Sequence, residues 1–285
     1  MSSEHTNDRD VLREHIGRTQ TQVETVSTEW WNRLELALDR EAVLNAGDPL
    51  PPLWHFITHP PLIKTSALDV DGHAKRGVFL PPVALPRRMW AGSRFEFYAD
   101  ILLGDEVTKQ STIGAVDAKQ GRSGQLCFVT VKHELSVTGD VRLVEEQDLV
   151  FREAPAPGAS TPAPKPAPVE RDFSRLVTPS EILLFRYSAL TFNSHRIHYD
   201  RDYARGVEGY PGLVFHGPLA ATLLADLAVR ETGERLGSFS FRAMAPLFDT
   251  DPFTIAGVRE GSEVRLWAQT PDGGVAMSAT GVLRS

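Results

Sequence analysis

The stretch TFNSHRIHYD, Thr191 to Asp200, sets two histidines, an arginine, an asparagine and an aspartate close together. Histidine has an unperturbed pKa near neutrality, so His198 is a candidate to take up or release a proton. Asn193 precedes it by five positions, more than one helical turn. If a helix ends near Phe192, the two side chains converge on a small volume. Asparagine donates and accepts hydrogen bonds without titrating, so it can orient a water or a polar substrate group. A solvated turn after a helix uses the same residue types, and that reading stands beside the catalytic one. His195, His198 and His216 would also suit an open zinc site. The H-E-x-x-H pattern is absent and the single cysteine, Cys127, is far away, so no metal is expected.

Two further stretches carry chemistry. In GYPGLVFHGPL, Gly209 to Leu219, the glycines permit close backbone approach. Free N–H groups where His216 and Gly217 lead into a Pro218 helix favour partial negative charge, as on a thioester enolate oxygen. The same residues also make a tight turn into a buried helix. In GVFLPPVALPRRMWAGSRF, Arg87 and Arg88 beside Trp90 can meet a phosphate or a carboxylate. Arginines in such a proline-rich loop are more often surface residues.

The elements that must position these groups read as follows. In TPSEILLFRYSAL, Thr178 as N-cap, Pro179 at the first helical position and Glu181 three residues on form a capping box. In HGPLAATLLADLAVR, Leu219, Leu223 and Leu227 make an apolar stripe on a helix that Pro218 begins. Leu12 to Ala46 reads as helix, with Trp31, Leu34 and Leu38 on one side. Strand-like runs cover Val107–Val116, Gln125–Val137, Arg142–Phe151, Phe253–Arg259, Glu263–Gln269 and Val275–Leu283. Turn signals such as GRSG and PDGG separate them.

A repeat organises these runs. Phe95, Phe97, Ala99, Leu103 and Asp105 recur in type and spacing as Phe239, Phe241, Ala243, Leu247 and Asp249, 144 positions later. Matching strand runs follow each copy, which argues for duplication. APAPGASTPAPKPAP, Ala154 to Pro168, reads as an extended Pro/Ala linker between residues 1–153 and 169–285. A helix followed by a long antiparallel sheet in each half predicts an α+β fold in which a sheet wraps a helix, twice over.

Composition narrows the function classes. The chain has 285 residues and a net charge of −7, with no clustered basic surface to suit nucleic acid. One cysteine excludes an internal disulfide framework. The polar, acidic start MSSEHTNDRD is unlike a signal peptide, and the apolar run Gly217 to Val229 is too short to span a bilayer. No membrane association and a cytoplasmic location are the expectations.

With these residues in view, the sequence resembles the MaoC-type acyl-CoA hydratases. YSALTFNSHRIH aligns without gaps to their hydratase-2 motif, with Tyr187 at the aromatic position, Leu190 at the leucine and His198 at the catalytic histidine. GLVFHGPL resembles their lead-in to the central helix. The departures are Asn193 at the family's aspartate, His195 at its asparagine and Arg196 at its proline. With FLPPVALPRRMWAGS, KQGRSGQLCFVTVKHEL and EEQDLVFRE, the likeness extends to a branch of 3-methylfumaryl-CoA (mesaconyl-C(4)-CoA) hydratases, itaconyl-CoA hydratases and type-2 hydroxyacyl-thioester dehydratases.

The resemblance implies a double hot-dog fold whose N-terminal copy shapes the substrate pocket and lacks the motif. It implies a cofactor-free hydro-lyase acting on an acyl-CoA, with His198 and Asn193 handling water and Gly217 holding the thioester oxygen beside His216. Because Asn193 cannot take a proton, Asp200 or Asp202 is a candidate helper. Arg196 is expected to pair with the free carboxylate of a dicarboxylic monothioester, or else to make a structural bond. His195, Tyr187, Arg87, Arg88 and Trp90 complete the expected substrate contacts. A dehydratase of lipid synthesis and a non-catalytic acyl-CoA-binding protein remain alternatives, and both monomer and homodimer are open.

Overall fold

The two F-x-F-x-A segments pair with each other. Strands β1 (Thr19–Thr25), β2 (Arg87–Phe97), β3 (Glu106–Gly121), β4 (Gly124–Val137) and β5 (Asp140–Arg152) belong to the N-terminal half. Strands β6 (Phe173–Val177), β7 (Arg235–Ala243), β8 (Phe253–Glu260), β9 (Glu263–Gln269) and β10 (Val275–Arg284) belong to the C-terminal half. All ten form one sheet in the order β1-β3-β4-β5-β2-β7-β10-β9-β8-β6. The order outward from β2 is repeated outward from β7, so the second half mirrors the first. The seam is the antiparallel pair β2 and β7, where Phe95 lies opposite Phe239. These are equivalent positions of the repeat, so a quasi-twofold axis passes between them. The computed structural model describes residues 6, 8–121, 124–154 and 163–284.

Alternation sets the faces of the sheet. Along β4, Cys127, Val129, Val131, His133, Leu135 and Val137 are buried while their neighbours are only partly so. The expected strand runs are present, and β3 extends further than expected, to Gly121. The PDGG segment makes the β9–β10 turn, with Gly273 at φ +88°. The middle of GRSG lies outside the described residues, as does Pro155–Pro162 of the expected linker. The rest of that linker is not free: Pro166 bridges to Gly274, and Val275 N–H donates to the Lys165 carbonyl.

Helices α1 (Arg9–Arg13), α2 (Thr28–Ala37), α3 (Glu181–Leu190), α4 (Arg201–Gly206) and α5 (Gly217–Thr232) complete the fold with short 3-10 turns. Helix α5 packs on β7, β8, β9 and β10. It is buried on all sides from Leu219 to Ala228, so the leucine stripe is one part of an enclosed helix. Its Asp226 is satisfied by ion pairs to Arg40 and Arg230. Gly233, at φ +71°, closes the helix in the left-handed conformation.

Two expectations need correction. Leu12 to Ala46 is not one helix: α1 ends before Gly17 at φ +83°, and TQTQVET pairs with β3 as edge strand β1. Alternating Thr, Gln and Val favour a strand, but β1 buries neither face, so apolar periodicity gave no sign of it. In the N-terminal half the helix that joins the core is the shorter α2. Trp31 and Leu34 of α2, with Leu53, Trp54 and Ile57 around a 3-10 turn, join Phe95, Leu103 and Val107 in the main core. The start of α3 also shifts: Ser180, not Thr178, is the N-cap and accepts from Leu183 N–H at 3.1 Å.

Phe239 is almost fully buried at the seam. Its replacement by alanine should cost about 3–5 kcal/mol, read as a lower denaturant midpoint in urea unfolding.

Candidate active site

The break after α3 creates the turn that carries Asn193, His195 and His198. Thr191 caps α3, and Phe192 sits at φ +50°, turning the chain away. Asn193 Oδ1 then accepts from His195 N–H at 3.0 Å, a local turn that asparagine favours. Arg196–His198 form a 3-10 turn. Asn193 thus shapes the loop that carries His195 and His198.

His198 is held from behind. Its Nδ1 lies 2.8 Å from the Val214 carbonyl, which makes Nδ1 the protonated nitrogen and leaves Nε2 without a hydrogen. The ring is buried, and burial pushes its pKa down to about 4. It is therefore a neutral base at neutral pH. On one side it stacks on His216, with ring centroids 3.8 Å apart. His216 is the N-cap residue of α5, and its Nε2 meets Ser188 Oγ at 2.9 Å. Burial, then the neighbouring imidazoles, keep His216 neutral. At the head of α5, a Cβ on Gly217 would meet nothing within 4 Å. The helix thus opens into free space where its N–H groups favour negative charge.

On the other side, His198 meets His195 edge to face at 5.4 Å, and His195 lies 3.9 Å from His73. The four rings form a row running from α5 to the N-terminal half. His73 Nδ1 lies 2.8 Å from Asp71 Oδ2. Burial and then Arg88 lower the His73 pKa to about 4, against the pull of Asp71. His195 is lowered further, by burial and by the histidines on either side. Burial opposes charge on Asp71, but its hydrogen bond with His73 outweighs this and keeps it ionised.

Asp71 and His73 arrive on a loop clamped to the turn after α3. Arg196 N–H donates to the Asp71 carbonyl at 2.9 Å, Ser194 Oγ to the Gly72 carbonyl at 2.5 Å, and Arg196 Nη1 to the Val70 carbonyl at 3.2 Å. Gly72 is at φ +89°, and a Cβ there would lie 1.7 Å from the Ser194 carbonyl oxygen. Only glycine permits this approach. Asp71, Gly72 and His73 were not singled out in the sequence. The available signal was DVDGH, an Asp-Gly turn with an aspartate and a histidine two positions apart.

The other expected residues divide into two groups. Arg88 lies near the row: its charge bears on His73, His195 and Asp71. It is partly buried, and the loss of solvent lowers its pKa to about 10, so it stays charged at neutral pH. No carboxylate lies within ion-pair distance of it among the described residues.

The remainder are engaged in structure. Arg196 makes a two-pronged pair with Asp200, at 2.7 and 3.0 Å, and stacks over Tyr203. Asp200 also caps α4, and Asp202 is exposed on that helix. Arg87 pairs with Glu208 at 2.6 Å. Trp90 donates to Ser93 Oγ at 2.8 Å and packs against Phe56 and Phe241. Tyr187 is buried against His216, with ring centroids 4.9 Å apart. His195, His198 and His216 stack in a row and do not converge on one point as zinc ligands would.

A neutral imidazole, the N-terminus of α5 beside it and an arginine near the far end of the row thus lie at one place. The chain belongs to the hydroxyacyl-thioester dehydratase type 2 family, whose pattern matches residues 53–249. It is accordingly a thioester hydro-lyase of the α+β class. It is 49% identical, over 238 residues, to the mesaconyl-C(4)-CoA hydratase of Chloroflexus aurantiacus, covering 82% of this chain and 84% of that one. Solved structures agree on the fold. HtdX of Mycobacterium tuberculosis superposes with a TM-score of 0.67 at 18% identity, covering 93% of this chain and 99% of its own. Another M. tuberculosis protein, described as having a double hotdog fold, gives 0.58 at 13% identity, covering 94% and 96%.

Gly72→Ala should force the Asp71–His73 loop off the turn after α3. Turnover should fall by about 10²-fold, the scale of a misplaced catalytic group. Circular dichroism should show the sheet retained.

Proposed function

We propose that the protein adds water reversibly across the C=C bond of a branched C5 dicarboxylyl-CoA, of the mesaconyl-C(4)-CoA or itaconyl-CoA type, giving citramalyl-CoA. The observation that carries this reading is the 49% identity to a mesaconyl-C(4)-CoA hydratase over most of both chains. The thioester carbonyl accepts N–H bonds at Gly217, where the helix dipole favours the enolate that forms. His198 Nε2 accepts a hydrogen of the attacking water, whose oxygen bonds to the β-carbon. The C=C pair moves toward the carbonyl, and the α-carbon then takes a proton. No cofactor is needed for these steps.

Arg88, rather than Arg196, fits the free carboxylate. In mesaconyl-C(4)-CoA that carboxylate is attached to the β-carbon, so its anchor must stand close to the group that activates water. Arg88 stands beside His73 and His195 with no ion pair of its own. Arg196 is already neutralised by Asp200. A partly buried cation with no carboxylate in ion-pair distance suits an anionic ligand better than the linear, uncharged chains of lipid synthesis.

His198→Ala should lower kcat by about 10²–10⁴, the usual share of general acid–base catalysis. In the wild type, kcat/KM should stay level from about pH 5 to neutrality, because His198 deprotonates near pH 4. Loss of the enoyl chromophore reads both. Near-normal turnover in the variant would remove His198 from the chemistry.

Arg88→Met should weaken turnover of mesaconyl-C(4)-CoA by at least about 10²-fold, the cost of leaving a buried charge unpaired. It should affect crotonyl-CoA little. Equal loss on both substrates would assign Arg88 to structure alone.

A further inference from the structure

Hydration needs somewhere for the proton that water loses. The motif position that would carry a carboxylate holds Asn193, and Asn193 is committed to the His195 turn. Behind His198 stands only a neutral carbonyl, that of Val214. A proton left there makes a buried imidazolium with no counter-charge, which is costly.

His73 is held in the same way but against a carboxylate. Its Nδ1 is fixed by Asp71, so the other ring nitrogen has no hydrogen and can accept one. A donor atom from each of Asp71, His73 and His195 lies within 4.8 Å of the other two. The His195 and His73 rings lie against each other, with centroids 3.9 Å apart, close enough to pass a proton between them. His195 in turn touches the His198 ring. A cation would fit the spacing as well, but the Arg88 guanidinium alongside repels one.

We propose that Asp71 and His73, contributed by the N-terminal half, are the proton station that replaces the family carboxylate. This rests on the hydratase reading above. As the water oxygen bonds to the β-carbon, one of its hydrogens stays hydrogen-bonded to His198 Nε2 and its other O–H bond breaks; His195 takes that proton on its free ring nitrogen as the proton on its other nitrogen passes to His73. The resulting imidazolium is paired with Asp71, and the C=C electrons rest on the enolate at Gly217. The N–H bond on His73 then breaks, and the proton returns to form the new C–H bond at the α-carbon. His73 begins and ends neutral. Asp71 is a positioning residue: it fixes the tautomer of His73 and stabilises its charged form.

The test is steady-state hydration of mesaconyl-C(4)-CoA by wild type, Asp71→Asn, Asp71→Glu and His73→Gln, across pH and with melting curves. Wild-type turnover must come first: if it is absent, the hydratase reading fails, not this one. Asp71→Asn and His73→Gln should lose about 10²-fold or more in kcat, with KM within a few-fold and melting little changed. Asp71→Glu should recover part of the loss. The groups facing His73 are Asp71, Arg76, Arg88 and His195, and of these Asp71 raises its affinity for protons. The acid limb of the kcat profile should therefore move to lower pH in Asp71→Asn. Unchanged kcat with an unmoved limb in that variant would overturn the proposal. If Asp71→Asn melts early, His73→Gln decides alone, because it leaves Asp71 and Gly72 in their loop; normal kcat there overturns the proposal equally. Wild-type turnover lost to a chelator and regained with a divalent cation would replace it with a metal site.

Discussion

Five residue pairs between β2 and β7 join the two halves into one sheet, and the rest of the site depends on that seam. Without it, nothing would bring the N-terminal loop to the turn after α3. The seam is built from the repeat itself, because Phe95 and Phe239 occupy equivalent positions and face each other. Antiparallel pairing of two like strands satisfies both backbones at once and buries both phenylalanines. The repeat thus supplies a self-complementary edge within one chain, where separate copies would have to find each other in solution.

Burial is what gives the histidine row its chemistry. Four imidazoles packed close together would repel one another if charged, and desolvation opposes charge on each. They are therefore held neutral, as bases need to be. The same burial weighs against the fold in acid, because an unfolded chain binds protons that the folded rings refuse. Asp71 and Arg88 are the charged exceptions, and they stand together at the outer end of the row. Cys127, by contrast, is buried in the second apolar cluster, which raises its pKa to about 11 and makes it inert.

Much of this was legible in the sequence. The strands, the α5 helix with Pro218 near its start, the repeat and the place of His198 follow from alternation, turn residues and motif spacing. Three things were not. Edge strand β1 buries no face, so its pattern looked like polar helix. The roles of Arg87, Arg88 and Arg196 depend on which acids stand opposite them, and Glu208 and Asp200 are set by folding. Of the three arginines only Arg88 is left without a partner. Asp71 and His73 lie over a hundred positions from His198, and only the clamp at Gly72 reveals that they share a site. Motif reading finds what is near in sequence; the long-range partner needed the structure.

The Gly72 approach to Ser194 also bears on how such a chain can change over time. The contact is a fit between two backbones, so side-chain adjustment cannot repair it when either loop alters its path. The halves are therefore not interchangeable parts, although they share an architecture. Recombination that exchanged one half for that of a distant relative would keep the sheet and its core while separating the loop from the turn. The loop and the turn therefore have to change together, and the two halves of the repeat work as a single unit.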